Sequence, residues 1–284
     1  MRGCKRLWGR IAVLAAAVLC FAVLFQSCAS SSLPADVAAR DLLVPDAEIY
    51  FSVPVEPNKS FLMKASSLAL SGTKPGDVRK MLERIDAVYI SCSGIDGASP
   101  TIGAVASGSF PATLAGFFLK EGNGWRRREV GAHKCYDHMD TGYGLSFASS
   151  SLACLASDGD ALSAELSRFD SAFSGSLLEH VDFAESDGAI SFFIPDGGWF
   201  METFLSNGFI KIGGVESVAG FLSQVEGAEA FDVSLSLKVP DERMRRAVSG
   251  MMRIFGLRAE VLGEDISVSG VRLGWDALLS RICR

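Results

Sequence analysis

EIYFSVPV, residues 48–55, alternates along its length and is rich in β-branched and aromatic side chains, the pattern of a β-strand. GAISFFIP, residues 188–195, resembles it. The elements after each of these two strands decide the fold. After the first, Phe61–Leu70 and Val78–Ile85 take helical spacing. In the latter, Val78, Met81, Leu82 and Ile85 share one face, with Arg79, Lys80, Glu83 and Arg84 on the other. AVYISCSG (87–94) and IGAVASGSF (102–110) read as strands. Pro111 suits the first turn of a helix running to Lys120. WRRREVG, YGLSFAS and LACLAS give three short strands, and Asp158–Phe169 a helix. After the second copy, helical patterns occupy 198–206 and 215–225. FDVSLSLKVP (231–240) alternates almost perfectly. Residues 241–255 form a helix whose first-turn acids suit its dipole, and LRAEVLG and ISVSGVRL close the pattern as strands.

This order predicts an α+β fold of antiparallel sheets covered by amphipathic helices, built from a duplicated β-α-β-β-α-β-β unit. The first repeat spans 44–169 and the second 186–272. A connector, 170–185, joins them, and 273–284 is a C-terminal amphipathic tail. One irregular α+β domain without duplication is the alternative.

The N-terminus places the chain. Arg2, Lys5, Arg6 and Arg10 precede an uncharged run from Ile11 to Phe25, the order of an export signal. Those 15 residues fall short of the roughly 20 that a bilayer-spanning helix needs. The run ends in LFQSCASSS (24–32), which looks like a relaxed bacterial lipoprotein box of the spirochaetal kind. By that resemblance residues 1–27 are a signal peptide, Cys28 is the acylated first residue of the mature chain, and 28–43 is a tether. The family pattern carries three acyl chains, and each buried methylene contributes about 0.8 kcal/mol, so the attachment is effectively permanent.

The whole chain holds 27 basic and 33 acidic residues, net −6; without the four bases of residues 1–27 the balance is net −10. Such a surface argues against nucleic acid and against general attraction to anionic lipid. Cys92, Cys135, Cys154 and Cys283 remain beside Cys28, and the sequence leaves open whether they pair or stay as buried thiols.

Signals for chemistry are sparse. HKCYDHMD, 133–140, gathers His133, Cys135, Asp137, His138 and Asp140, which zinc accepts, but no second ligand pair accompanies them. A polar hairpin turn is the plainer reading. His180 reads as a helix-surface residue. Gly122 and Gly124, and Gly142 and Gly144, look like turns; there is no G-x-S-x-G elbow, and no pair of carboxylates stands out. Arg126 and Arg128 share one face of their strand, the pattern of a solvated edge. The expectation is no enzymatic activity, no cofactor and no metal.

The informative feature is surplus apolar surface on predicted helices. GGWFMETFLSNGFIKIGG (197–214) carries Trp199, Phe200, Phe204 and Leu205 between glycines at 197, 198, 208, 213 and 214 that would act as hinges. Phe117 and Phe118 lie on one side of the 111–120 helix. Val215, Val218, Leu222 and Val225 make a further stripe. Met244, Val248, Met251, Met252 and Phe255 make a methionine-rich one. The tail sets Trp275, Leu278, Leu279 and Ile282 beside Arg281 and Arg284, as interfacial helices do. Such stripes are also how helices cover a core. Their number, on a chain held at a bilayer, favours Trp199, Phe200, Phe204, Leu205, Phe117, Phe118, Met251, Phe255 and Trp275 as lipid-facing residues.

The lipobox, the alternation of strands and helices and the repeated amphipathic helices together resemble a treponemal outer-membrane lipoprotein. That resemblance implies α/β/α layers and amphipathic helices that insert into the inner leaflet. It implies a periplasm-facing protein, acylated with palmitate or similar chains, that binds membrane lipids, switches between closed and open forms and perturbs the bilayer. The alternatives are a periplasmic scaffold lipoprotein whose partner is another envelope protein, with no direct lipid role, and a metal-binding lipoprotein using His133–Asp140.

Overall fold

The computed structural model describes residues 38–69, 75–95, 100–110, 119–171, 188–202 and 213–282. Among them, twelve strands form one sheet: β1 (Ile49–Pro54), β2 (Ile85–Ser93), β3 (Thr101–Gly108), β4 (Trp125–Val130), β5 (His133–His138), β6 (Gly144–Phe147), β7 (Leu152–Ala156), β8 (Ile190–Ile194), β9 (Ser217–Gln224), β10 (Ala230–Lys238), β11 (Arg258–Leu262) and β12 (Asp265–Gly274). Their order is β11-β12-β10-β9-β8-β1-β2-β3-β7-β6-β5-β4, and every pairing is antiparallel. The fold is therefore α+β on one antiparallel sheet. The two similar strands, β1 and β8, lie side by side at its centre, Phe51 opposite Phe192.

Strand alternation sorts side chains onto two faces. The front face carries Ile49, Val53, Ile90, Ile102, Leu155, Ile190, Val218, Phe231, Leu237, Ile266 and Val268. Helices α1 (Lys59–Ala69), α2 (Pro75–Leu82), α4 (Gly197–Phe200), α5 (Glu242–Ile254) and α6 (Trp275–Ile282) supply the side chains that cover it. The back face carries Tyr50, Val105, Cys135, Cys154, Ala156 and Phe193, and is covered by helix α3 (Gly159–Asp170) with the 3-10 turn Ala39–Leu42. Toward β9–β12 the back face turns polar: Ser223, Asp232 and Ser234 are exposed, and Arg272 pairs with Asp232 across the strands at 3.0 Å.

Helix α2 ends at Leu82, and Ile85, expected on its apolar face, instead opens β2. Two segments differ in kind from the sequence reading. Residues 217–224 form strand β9 where 215–225 reads as a helix. Val218 and Leu222 suit a strand face equally well, and Gly220 settles the matter: a Cβ there would collide with the ring of Phe192 on β8. Residues 133–138 form strand β5 where a turn is expected. The predicted helix at 111–120 and most of the connector 170–185 lie outside the described residues. So does Cys283. Cys92, Cys135 and Cys154 are buried free thiols, and burial raises the pKa of each.

A seam of polar contacts ties the centre together. Buried Asn58, ahead of α1, donates to the carbonyls of Pro54 (2.8 Å) and Gly188 (2.9 Å) and accepts from Gln224 of β9 (3.3 Å). One amide thus spans β1, the approach to β8, and β9, leaving no buried polar atom of its own unpaired.

Candidate functional site

Of the residues expected to face lipid, Cys28, Phe117, Phe118, Phe204 and Leu205 lie outside the described residues. The others separate into a buried set and an exposed one. Strand β12 delivers Trp275 onto the front face, where it is 6% exposed and packs edge-on against Phe61 at 5.7 Å and beside Phe231 at 6.0 Å. Lys64 of α1 ties that corner shut through Glu229 and Asp276, the latter at 2.8 Å. Phe200 is likewise buried, with Met201 behind it, and Trp199 is half-buried against the same core. Asp196 caps this short helix, its carboxylate accepting from the Trp199 amide at 3.0 Å. Gly197, read from the sequence as a hinge, is there for contact: a Cβ would strike Val215. Gly214 does need its left-handed φ of 85°.

Helix α5 is different. Asp241 caps its start, accepting from the Met244 amide at 2.8 Å. Val248 and Met252 are buried on the sheet, and Met244 and Met251 pack half-buried beside them. Its other end breaks the pattern. Ile254 is 84% exposed and Phe255 54%. Arg253 donates twice to the Ala259 carbonyl, at 3.1 and 2.8 Å, which fixes the turn into edge strand β11. On that strand Val261 and Leu262 are exposed as well. Among the described residues six large apolar side chains stand exposed, and four of them fall between 254 and 262. Helical periodicity points to Met251 and Phe255; it carries no signal for Ile254 or Leu262.

Strand alternation disperses the HKCYDHMD cluster. His133, Cys135 and Asp137 fall on the back of the sheet and His138 on the front, and separate partners hold them. His133 meets Asp170 at 2.7 Å, Asp137 meets Arg128 at 2.9 Å, and His138 meets Thr141 at 3.0 Å. No group of three metal-ligating side chains occurs among the described residues. Beneath α3, Glu165 is fully buried, and neither carboxylate oxygen has a hydrogen-bond partner among the described residues. It sits in the space that Gly103 leaves empty. Burial drives its pKa well upward, against the pull of the Arg168 guanidinium.

A single antiparallel sheet with helices on both faces, and an apolar helix end left in solvent, defines an α+β protein. Comparison with known proteins makes the class specific. The family model for outer membrane-associated lipoprotein TP0453 matches residues 34–274, and the chain belongs to that family. Crystal structures of TP0453 share its fold. Form IV aligns with a TM-score of 0.64 at 17% identity, covering 90% of this chain and 100% of that one. Form III gives 0.63 at 17% identity, with 88% and 99% covered, and form I gives 0.62 at 17% identity, with 88% and 98% covered. No curated protein matches. Membrane association in the outer envelope follows from the family. No helix among the described residues is long and apolar enough to cross a bilayer.

Proposed function

We propose that this lipoprotein is anchored through acylated Cys28 in the periplasmic leaflet of the outer membrane and itself binds lipid through amphipathic helix surface. It acts on the bilayer without catalysing a reaction. The observation that carries the reading is the gathering of exposed Ile254, Phe255, Val261 and Leu262 at the end of α5 and along β11. Fully burying a side chain of the Phe or Leu class contributes about 1.5–3 kcal/mol, so a few entering lipid supply useful affinity beyond the anchor. Helices that end in arginine and apolar side chains lie well in a membrane interface.

The strand order also supports an ancestral duplication: β1-β2-β3-β7-β6 and β8-β9-β10-β12-β11 run outward from the β1–β8 pair in matching sequence.

The test is vesicle flotation of the full mature chain carrying Cys28→Ser, so that no acyl chain contributes. The expected result is flotation with vesicles that Phe255→Ser weakens. Absence of flotation would favour the scaffold reading, in which the same patch covers another envelope protein.

A further inference from the structure

We infer that the outer stripe of α5 is a docking face for anionic phospholipid headgroups, with Arg243 and Arg246 as its phosphate contacts and Ile254 as its apolar foot. This deepens the lipid-binding reading and rests on it. At 3.6 residues per turn, Arg243, Arg246, Ala247, Gly250, Arg253 and Ile254 fall within an arc of about 120°, opposite buried Val248 and Met252. Arg243, Arg246, Ala247, Arg253 and Ile254 of this stripe are exposed. Residues 241–262 hold five arginines against three acids, on a chain whose net charge is −6. Each acid has its place. Asp241 caps the helix, Glu242 pairs with Arg246, and Glu260 lies exposed on β11. Arg245 donates to the Val239 and Pro240 carbonyls, and Arg253 to Ala259, so those two hold the helix in place.

Gly250 supplies an independent observation. Glycine in a helix interior is destabilising relative to alanine. Here no internal contact asks for it, because a Cβ at 250 would meet nothing within 4 Å. With Ala247 it flattens the middle of the stripe, so the helix backbone can approach an external plane. Arginine forks match phosphate oxygens, and the foot at 254 sits one end along the same line. A flat, anionic partner with an apolar interior satisfies all three features, and a bilayer surface has them.

The experiment measures binding of the full mature chain carrying Cys28→Ser to phosphatidylcholine vesicles and to the same vesicles containing phosphatidylglycerol. Wild type is compared with Arg243→Glu/Arg246→Glu and with Ile254→Ser, and circular dichroism verifies that each variant is folded. A charge near an anionic surface is worth about fivefold in affinity, so reversing two arginines, a change of four charges, should lower binding to anionic vesicles by about 600-fold. Binding to neutral vesicles should change little, and added salt should erase the preference. Ile254→Ser should weaken both. Equal binding of wild type to neutral and anionic vesicles would overturn the headgroup inference while the lipid-binding reading stands. So would an anionic preference that survives the double reversal. Binding to soluble polyglutamate as tight as to anionic vesicles, and indifferent to Ile254→Ser, would assign the stripe to an acidic macromolecule instead. Failure to bind any vesicle would remove the lipid-binding reading itself.

Discussion

Helices α5 and α6 present the same kind of sequence, an apolar stripe with aromatic and basic neighbours, yet the fold treats them in opposite ways. Trp275 at the head of α6 is locked between Phe61 and Phe231 under an ion-paired corner. At the foot of α5, Ile254 and Phe255 stand in solvent while Val248 and Met252 of the same helix do the packing. A stripe at helical spacing reports that a helix has a buried side; it does not report what lies on the other side.

The contrast between the two helices can be broken most severely at its buried end. Trp275→Ala should destabilise the protein by about 3–5 kcal/mol, because it opens a large cavity in an aromatic cluster. Urea unfolding measures this, and a loss under about 1 kcal/mol would mean that Trp275 is not the core residue its packing makes it. Next in size is the seam: Asn58→Ala leaves the Gln224 amide and two backbone carbonyls without their partner and should cost about 2–3 kcal/mol by the same measurement. At the exposed end, Phe255→Ser should shift stability by no more than about 0.5 kcal/mol, as surface substitutions do, while clearly weakening vesicle binding.

The back face gives a pH test of the same contrast between sealed and open regions. Glu165 has a folded-state pKa raised well above its ordinary 4.5. The folded chain therefore keeps a proton that the unfolded chain releases. Stability from this group is fully present below about pH 4.5 and declines as pH rises toward the folded value. Glu165→Gln should flatten that decline in urea midpoints taken from pH 4.5 upward. A slope as steep as wild type would show that the carboxyl is not sealed under α3.

Much of the architecture was legible because two-residue alternation survives in β1, β8 and β10, and because α5 carries its cap and stripe in plain order. Strand β9 was not, since Val218 and Leu222 fit either period and Val215 and Val225 complete a helical one. Only the ring of Phe192 over Gly220 shows why a strand is required. The segment from 133 to 138 hid as a turn because its polar residues are taken up by partners, His133 by distant Asp170, Asp137 by Arg128 of the neighbouring strand and His138 by Thr141. Sequence pointed to the candidate surface at Phe255 and also offered Trp275 and Phe200 in the same terms. Separating them takes the tertiary neighbours that bury one set and leave the other bare. Gly197 teaches the same point, for its role is steric and Val215 is the reason.

The central claim is that the foot of α5 enters lipid while the Trp275 cluster stays closed. It is tested most directly by Ile254→Cys in the mature Cys28→Ser chain, labelled with a polarity-sensitive fluorophore and titrated with phosphatidylglycerol-containing vesicles. Leu68→Cys serves as the control, since Leu68 is a comparably bare apolar position on α1, 57% exposed. A blue shift and quenching by lipid-borne quenchers are expected at position 254, with little change at 68. An unchanged spectrum at 254, or an equal response at both positions, would contradict the claim.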